Sequence, residues 1–205
     1  MAVSKAHPAS AIAEAFEAGV RLFGENRVQE FERKRVELEG LRGSIDVHFI
    51  GHLQSNKAAK AAEIFSAVDT LDSLRLAERL NEAAGTLGCR LPVLLEIKLS
   101  NEPTKTGLNP KGREIEELVA RIPKLPNLEV RGLMTVPPFD NNAETARHCF
   151  RELRRLRDEL AERHTAIDLR ELSMGMSGDF EVAIEEGSTL VRIGTALFGT
   201  RQARC

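Results

Sequence analysis

The chain has 205 residues, of which 42% are hydrophobic and 29% charged, which is enough for one ordinary domain with a real core. A formal net charge of -2 gives no electrostatic case for nucleic acid or an anionic membrane as partner. No apolar run approaches the ~18 residues of a membrane span, and no basic-then-apolar secretory signal opens the chain.

Short apolar runs alternate with helical patterns from the first residues on. AVSK (2–5) reads as a strand and PASAIAEAFEAG (8–19) as a helix, with Pro8 suited to a first turn and Gly19 to a C-terminal stop. RLFGE (21–25) is strand-like and precedes a charged helix over 26–39. VHFIG (47–51) is a third strand, with a helix near 55–63; IFSAVDT (64–70) is a fourth, followed by the amphipathic SLRLAERLNEAAG (73–85). PVLLEIKLS (92–100) is the clearest strand, and a loop rich in Asn, Pro, Thr and Gly (101–110) leads to a helix over 111–121. LEVRGLMTV (128–136) is a sixth strand, before a long helix over 142–163. DLRELSMG (168–175) is a seventh, with a short helix near 178–186, and TLVRIGTALFG (189–199) closes the series.

This alternation predicts parallel βαβ units. An open doubly wound sheet and a closed eight-stranded barrel compete. The barrel needs ~200 residues at minimum, and the chain reaches that length and the count of eight strands. The expectation is a (β/α)8 TIM barrel, α/β in class, with residues 1–205 forming a single domain. The chain begins on a strand and ends just after another, so the seam between them lacks a covering helix. A longer native N-terminus, or self-association through the bare seam, would supply the cover. Cys89, Cys149 and Cys205 are odd in number and show no metal-type spacing, as reduced thiols of a cytoplasmic protein would.

Barrels carry their chemistry at the C-terminal ends of the strands. Lys5 ends the first strand there, and Glu25 and Asn26 the second. His48 lies in the third, with His52 beyond it. Ser100 ends the fifth, Met134 and Thr135 the sixth. MSGD (176–179) is a small-residue turn entering a helix, and Ser177 with its neighbouring N–H groups could face an anion. Gly194 and Thr195 stand where barrels commonly bind phosphate. Glycines that merely permit tight turns are the competing explanation for each motif. Lys5 beside a phosphate either neutralises charge or, with its pKa lowered, forms a Schiff base with an aldehyde. Pyridoxal phosphate is such a phosphorylated aldehyde, and it wants a partner for its pyridine nitrogen. Arg192 shares a strand face with Gly194 and so points into the barrel.

AVSKAHP (2–8), LFGENRVQE (22–30), HFIGHLQSNK (48–57), RGLMTVPP (131–138) and LSMGMSGDFEVAIEEGSTLVRIGTALFG (172–199) together resemble the pyridoxal phosphate homeostasis protein family. HFIGHLQSNK is the most specific stretch, and the resemblance covers essentially the whole chain. It implies a barrel like the N-terminal domain of alanine racemase, with Lys5 carrying the cofactor as a Schiff base. It further implies that Ser177, Gly194 and Thr195 hold the phosphate, that Arg192 lies near the pyridine nitrogen, and that Asn26, His48 and Met134 line the cofactor side of the mouth. Family members begin with a further helix before the first strand, which this sequence lacks.

Catalysis is expected to be weak. Racemisation needs a base on each face of the substrate carbon, and the related racemases use the cofactor lysine and a tyrosine. The sequence contains no tyrosine. Arginine keeps its proton, so Arg192 should leave the pyridine ring a poor electron sink. The resemblance therefore implies a carrier in vitamin B6 homeostasis, which would pass its cofactor to PLP-dependent apo-enzymes. The alternatives are a PLP-dependent racemase-like enzyme of weak activity and a phosphate-binding barrel in which Lys5 is only a charge partner. Full-length, such a protein is expected to be a monomer.

Several residues keep ordinary readings beside the functional ones. His48 reads equally as a satisfied core histidine. His7, His148 and His164 read as surface residues without metal-ligand spacing. Lys105, near the mouth, reads equally as a solvated loop lysine. RELRRLRDEL (151–160) reads as a solvated helix face. Asp69 and Asp72 could form an acid/base pair, although Asp72 also suits a helix N-terminus.

Overall fold

The computed structural model describes residues 1–100, 106–138 and 142–199. Eight parallel strands form one sheet in sequential order. They are β1 (Ala2–Val3), β2 (Leu22–Glu25), β3 (Asp46–Phe49), β4 (Ala67–Leu71), β5 (Leu91–Glu96), β6 (Leu128–Met134), β7 (Glu171–Met176) and β8 (Leu190–Arg192). The helices are α1 (Ala9–Glu17), α2 (Val28–Glu37), α3 (Ala58–Ile64), α4 (Leu74–Thr86), α5 (Arg113–Arg121), α6 (Ala143–Arg163), α7 (Phe180–Glu185) and α8 (Thr195–Phe198). One helix follows each strand, as parallel neighbours require.

The sheet closes on itself. The Val3 N–H donates to the Ile193 carbonyl at 2.8 Å, and the Ile193 N–H donates to the Met1 carbonyl at 2.9 Å. The expected (β/α)8 barrel is therefore the fold, and the seam between first and last strands is joined through its backbone. Register then sorts the side chains. Val3, Gly24 and His48 stand side by side and face the interior; Ala2, Phe23 and Val47 stand beside one another and face the helices. The core sits between strands and helices. On α6, Ala146, Phe150, Leu153 and Leu160 are buried along one face while arginines and glutamates fill the other. Each such large side chain contributes about 1.5–3 kcal/mol by leaving water.

Several element boundaries differ from expectation: β1 ends at Val3 rather than Lys5, β6 ends at Met134 rather than Val136, and β7 begins at Glu171 rather than Asp168. The run at 64–66 belongs to the end of α3 and a turn, and β4 starts at Ala67. A short apolar run has no periodicity of its own, and here the alanine-rich helix extends through Ile64. β5 ends at Glu96 rather than Ser100, because Ile97 bridges instead to Leu108 from the returning loop. The last predicted strand divides: β8 stops at Arg192, Gly194 takes φ -111° and ψ -84°, and α8 follows.

Candidate functional site

A cleft of about 390 Å³ opens at the C-terminal ends of β8 and β1, within the range of small-molecule sites. Val3 and Lys5 line one wall and Arg192, Gly194 and Thr195 the other. The turn from Met176 to Asp179 forms the rim, and Val136 and the first turn of α6 face it. Five of the eight residues read from the sequence therefore meet here: Lys5, Ser177, Arg192, Gly194 and Thr195. The remaining three do not line this cleft. Met134 is buried at the end of β6, His48 is half-buried inside the barrel, and Asn26 packs its backbone against the next loop. Lys105 lies outside the described residues.

The rim is preformed. The N–H groups of Gly194 and Ala196 both donate to Ser177 Oγ, at 3.2 and 3.3 Å. Asp179 Oδ1 accepts from the Met176 N–H at 2.6 Å, which folds the turn back on itself. Gly175 enables that turn with φ +96°, and a Cβ there would stand 2.5 Å from Ala183. Gly178 and Gly194 are different. Neither has a left-handed backbone, a Cβ on Gly178 would meet nothing within 4 Å, and the nearest atom to one on Gly194 is 3.6 Å away. Neither glycine is required by a left-handed turn or by crowding at its Cβ; both line the cleft, where the missing side chain leaves the backbone open to a ligand.

Arg192 is buried, donating to Ser173 Oγ and to the Thr135 carbonyl, both at 2.7 Å. Burial pulls its pKa below the usual arginine value, while the charges of Asp69, Asp179 and Glu96 oppose that pull. Asp69 is itself buried and hydrogen-bonded to His48 Nδ1 at 3.1 Å. His48 is thus a satisfied interior histidine. Asp72 pairs with His52 at 3.3 Å, and Ser73 rather than Asp72 caps α4 by accepting from the Leu76 N–H. Asp69 and Asp72 thus each pair with a different histidine. Glu96, at the mouth, has its pKa raised by burial first and by Asp72 second, against a hydrogen bond from Thr106.

Behind Lys5 lies a group that the sequence reading missed. Lys34 on α2 turns inward and meets Glu25 Oε1 at 2.7 Å and Glu30 Oε1 at 2.8 Å. Glu30 follows Asn26 in the GENRVQE stretch, and Glu30 with Lys34 stands at helical i,i+4 spacing. That spacing was visible, but its inward aim was not. Among the described residues no cluster could hold a metal ion, and no helix is long and apolar enough to cross a membrane.

A closed parallel barrel with a lysine just beyond its first strand and a buried arginine at the end of its last is a barrel of the alanine racemase type. The chain belongs to the family described as alanine racemase, N-terminal domain, whose model matches residues 1–202. It is 44% identical over 202 residues to the "Pyridoxal phosphate homeostasis protein" of Aquifex aeolicus, covering 98% of this chain and 86% of that one. It is 45% identical over 203 residues to the protein of the same name in Escherichia coli, covering 98% and 85%. PipY of Synechococcus elongatus, solved with PLP bound, superposes with a TM-score of 0.88 at 43% identity, covering 97% of this chain and 91% of that one. An alanine racemase of Clostridium difficile shares the fold at a TM-score of 0.72 and 20% identity, covering 98% of this chain and 52% of that one.

Proposed function

We propose that this chain binds pyridoxal 5'-phosphate, carries it as a Schiff base on Lys5, and serves intracellular vitamin B6 homeostasis without strong catalysis of its own. The observation that carries the reading is the meeting of Lys5, Arg192 and the Ser177–Gly194–Thr195 turns in one cleft. The names of its relatives, and PipY solved with PLP bound, support it. When bound, the cofactor supplies an aldehyde that condenses with an amine.

The chain's residues have separate tasks in this reading. Ser177 Oγ and the N–H groups of Gly194 and Thr195 would hold the phosphate, with the Gly194 N–H turning from Ser177 Oγ to do so. Arg192, fixed by Ser173 and the Thr135 carbonyl, would be the charged partner of the ring nitrogen and would keep its own proton. Asn26, His48 and Met134 shape the mouth from a greater distance. Residues 1–205 act as one domain, and the protein works in the cytoplasm, in keeping with a Cys89 that takes part in no disulfide among the described residues. Transfer of the cofactor to PLP-dependent apo-enzymes belongs to the same reading. A racemase-like activity would need a base besides Lys5; the chain has no tyrosine, and His48 is engaged with Asp69 away from the cleft.

The test is a visible absorption titration of the purified protein with PLP, followed by borohydride reduction and peptide mapping. A yellow band with the reduced adduct on Lys5, lost in Lys5→Ala, is the expected result. A colourless protein, or an adduct spread over surface lysines, overturns the reading.

A further inference from the structure

We propose that Lys34, together with Glu25 and Glu30, is a positioning device for Lys5. The inference rests on the reading that Lys5 carries the cofactor.

The contacts fall on both sides of Lys5. Lys34 Nζ donates to the Ser4 carbonyl at 3.0 Å and to Glu25 Oε1 at 2.7 Å, and it meets Glu30 Oε1 at 2.8 Å. These three contacts use all the hydrogens of an ammonium. The same Glu30 oxygen accepts the Ala6 N–H at 2.7 Å. Ser4 Oγ donates to Glu25 Oε1 at 2.7 Å. The carbonyl before Lys5 and the amide after it therefore end on one ionic cluster.

That cluster holds a turn the chain would not adopt unaided. Ala6 has φ +64°, a left-handed conformation that a residue with a Cβ rarely takes. Strain of this kind persists where the surroundings over-determine it. Here the His7 N–H returns to the Ser4 carbonyl at 3.1 Å, and Glu30 holds the Ala6 N–H. The turn follows β1, which ends at Val3, and includes Lys5 itself, so it fixes the direction in which that side chain leaves the backbone.

The competing explanation is that the cluster only joins α2 to the sheet. Apolar packing would do that at least as well. Enclosed ion pairs are often replaced by apolar residues of similar volume with no loss of stability. Glu25 is fully enclosed, and its Oε2 has no hydrogen-bond partner among the described residues. A purely cohesive contact has no need to bind main-chain atoms flanking one particular lysine.

The experiment uses the full chain and Glu30→Gln. This variant removes the charge that grips Ala6 while leaving Lys34 paired with Glu25, at a position only partly enclosed. PLP affinity is read from the visible band, cofactor orientation from the circular dichroism of that band per bound cofactor at saturation, and the turn from amide exchange of the ligand-free peptide spanning Ala6. Expected are affinity about tenfold weaker, weaker dichroism per bound cofactor and faster exchange at Ala6. Dichroism at saturation does not follow stability, so a lowered melting point alone would not imitate this result. The double variant Glu25→Gln with Lys34→Met removes both enclosed charges together and should show the same three changes. Wild-type protein with its adduct on Lys5, beside variants of unchanged affinity and dichroism, overturns the positioning role alone. Wild-type protein with no adduct on Lys5 overturns the cofactor reading, and this inference with it.

Discussion

Arg192 and Glu96 are two charges held inside the same barrel by different means. Arg192 has two short hydrogen bonds and three acidic residues acting on it. Replacing it by leucine leaves Ser173 Oγ and the Thr135 carbonyl without their donors. Arg192→Leu is expected to cost about 3 kcal/mol, measured by urea unfolding, besides losing the cofactor. Glu96 is less well served, and burial and Asp72 raise its pKa above the ordinary 4.5. Below that value native and unfolded chains are both protonated at this position. As pH rises past it, the unfolded chain gives up the proton first, so stability falls until the native group has ionised too. Glu96→Gln lacks this loss. Thermal melts should show it matching the parent near pH 4 and exceeding it at pH 8, whereas parallel curves at both pH values would mean Glu96 ionises normally. The meeting of Lys5, Arg192 and Gly194 in one cleft was legible at this scale from their positions at and just beyond the strand ends. The Lys34 cluster was not, because helix phase and inward aim decide it, and no spacing rule tells an inward Lys34 from a solvated one.

At the scale of elements, the HFIGHLQSNK stretch receives a physical reason. Gly51 follows β3 where the chain from β2 crosses it, and a Cβ there would lie 2.3 Å from the Asn26 carbonyl oxygen. The contact is with backbone, which cannot swing aside. Gly51→Ala is expected to destabilise by roughly 3 kcal/mol and to displace the β2–α2 loop, as checked by chemical denaturation and by exchange of the 25–28 amides. All eight strands, and the helices after the first seven, were legible from alternating apolar runs. Two of the boundaries that failed share one cause: they were set by neighbours rather than by local pattern. Leu108 captures Ile97, and the seam captures Ile193, so β5 and the closing strand end earlier than their apolar runs. The α8 turn, hidden inside an apolar run, places Thr195 at the rim.

For the whole molecule, closure of the sheet and assembly of the cleft go together. The cleft lies across the seam, with Lys5 two residues beyond Val3 on one side and Gly194 one residue beyond Ile193 on the other. The Val3 N–H to Ile193 carbonyl bond joins these two halves. Val3→Pro deletes that donor from within a parallel sheet, at a cost of ~3 kcal/mol or more. A comparable loss elsewhere serves as control. Leu95 is fully buried on β5, away from the cleft, and Leu95→Ala should cost ~2–5 kcal/mol. Below the melting point of both variants, Leu95→Ala should still bind PLP tightly, because its two cleft walls remain joined. Val3→Pro should bind far more weakly at equal stability, because its lysine and its phosphate turns no longer share a wall. Equal affinity in the two variants would mean that α2 and α7 hold the walls in place without the seam.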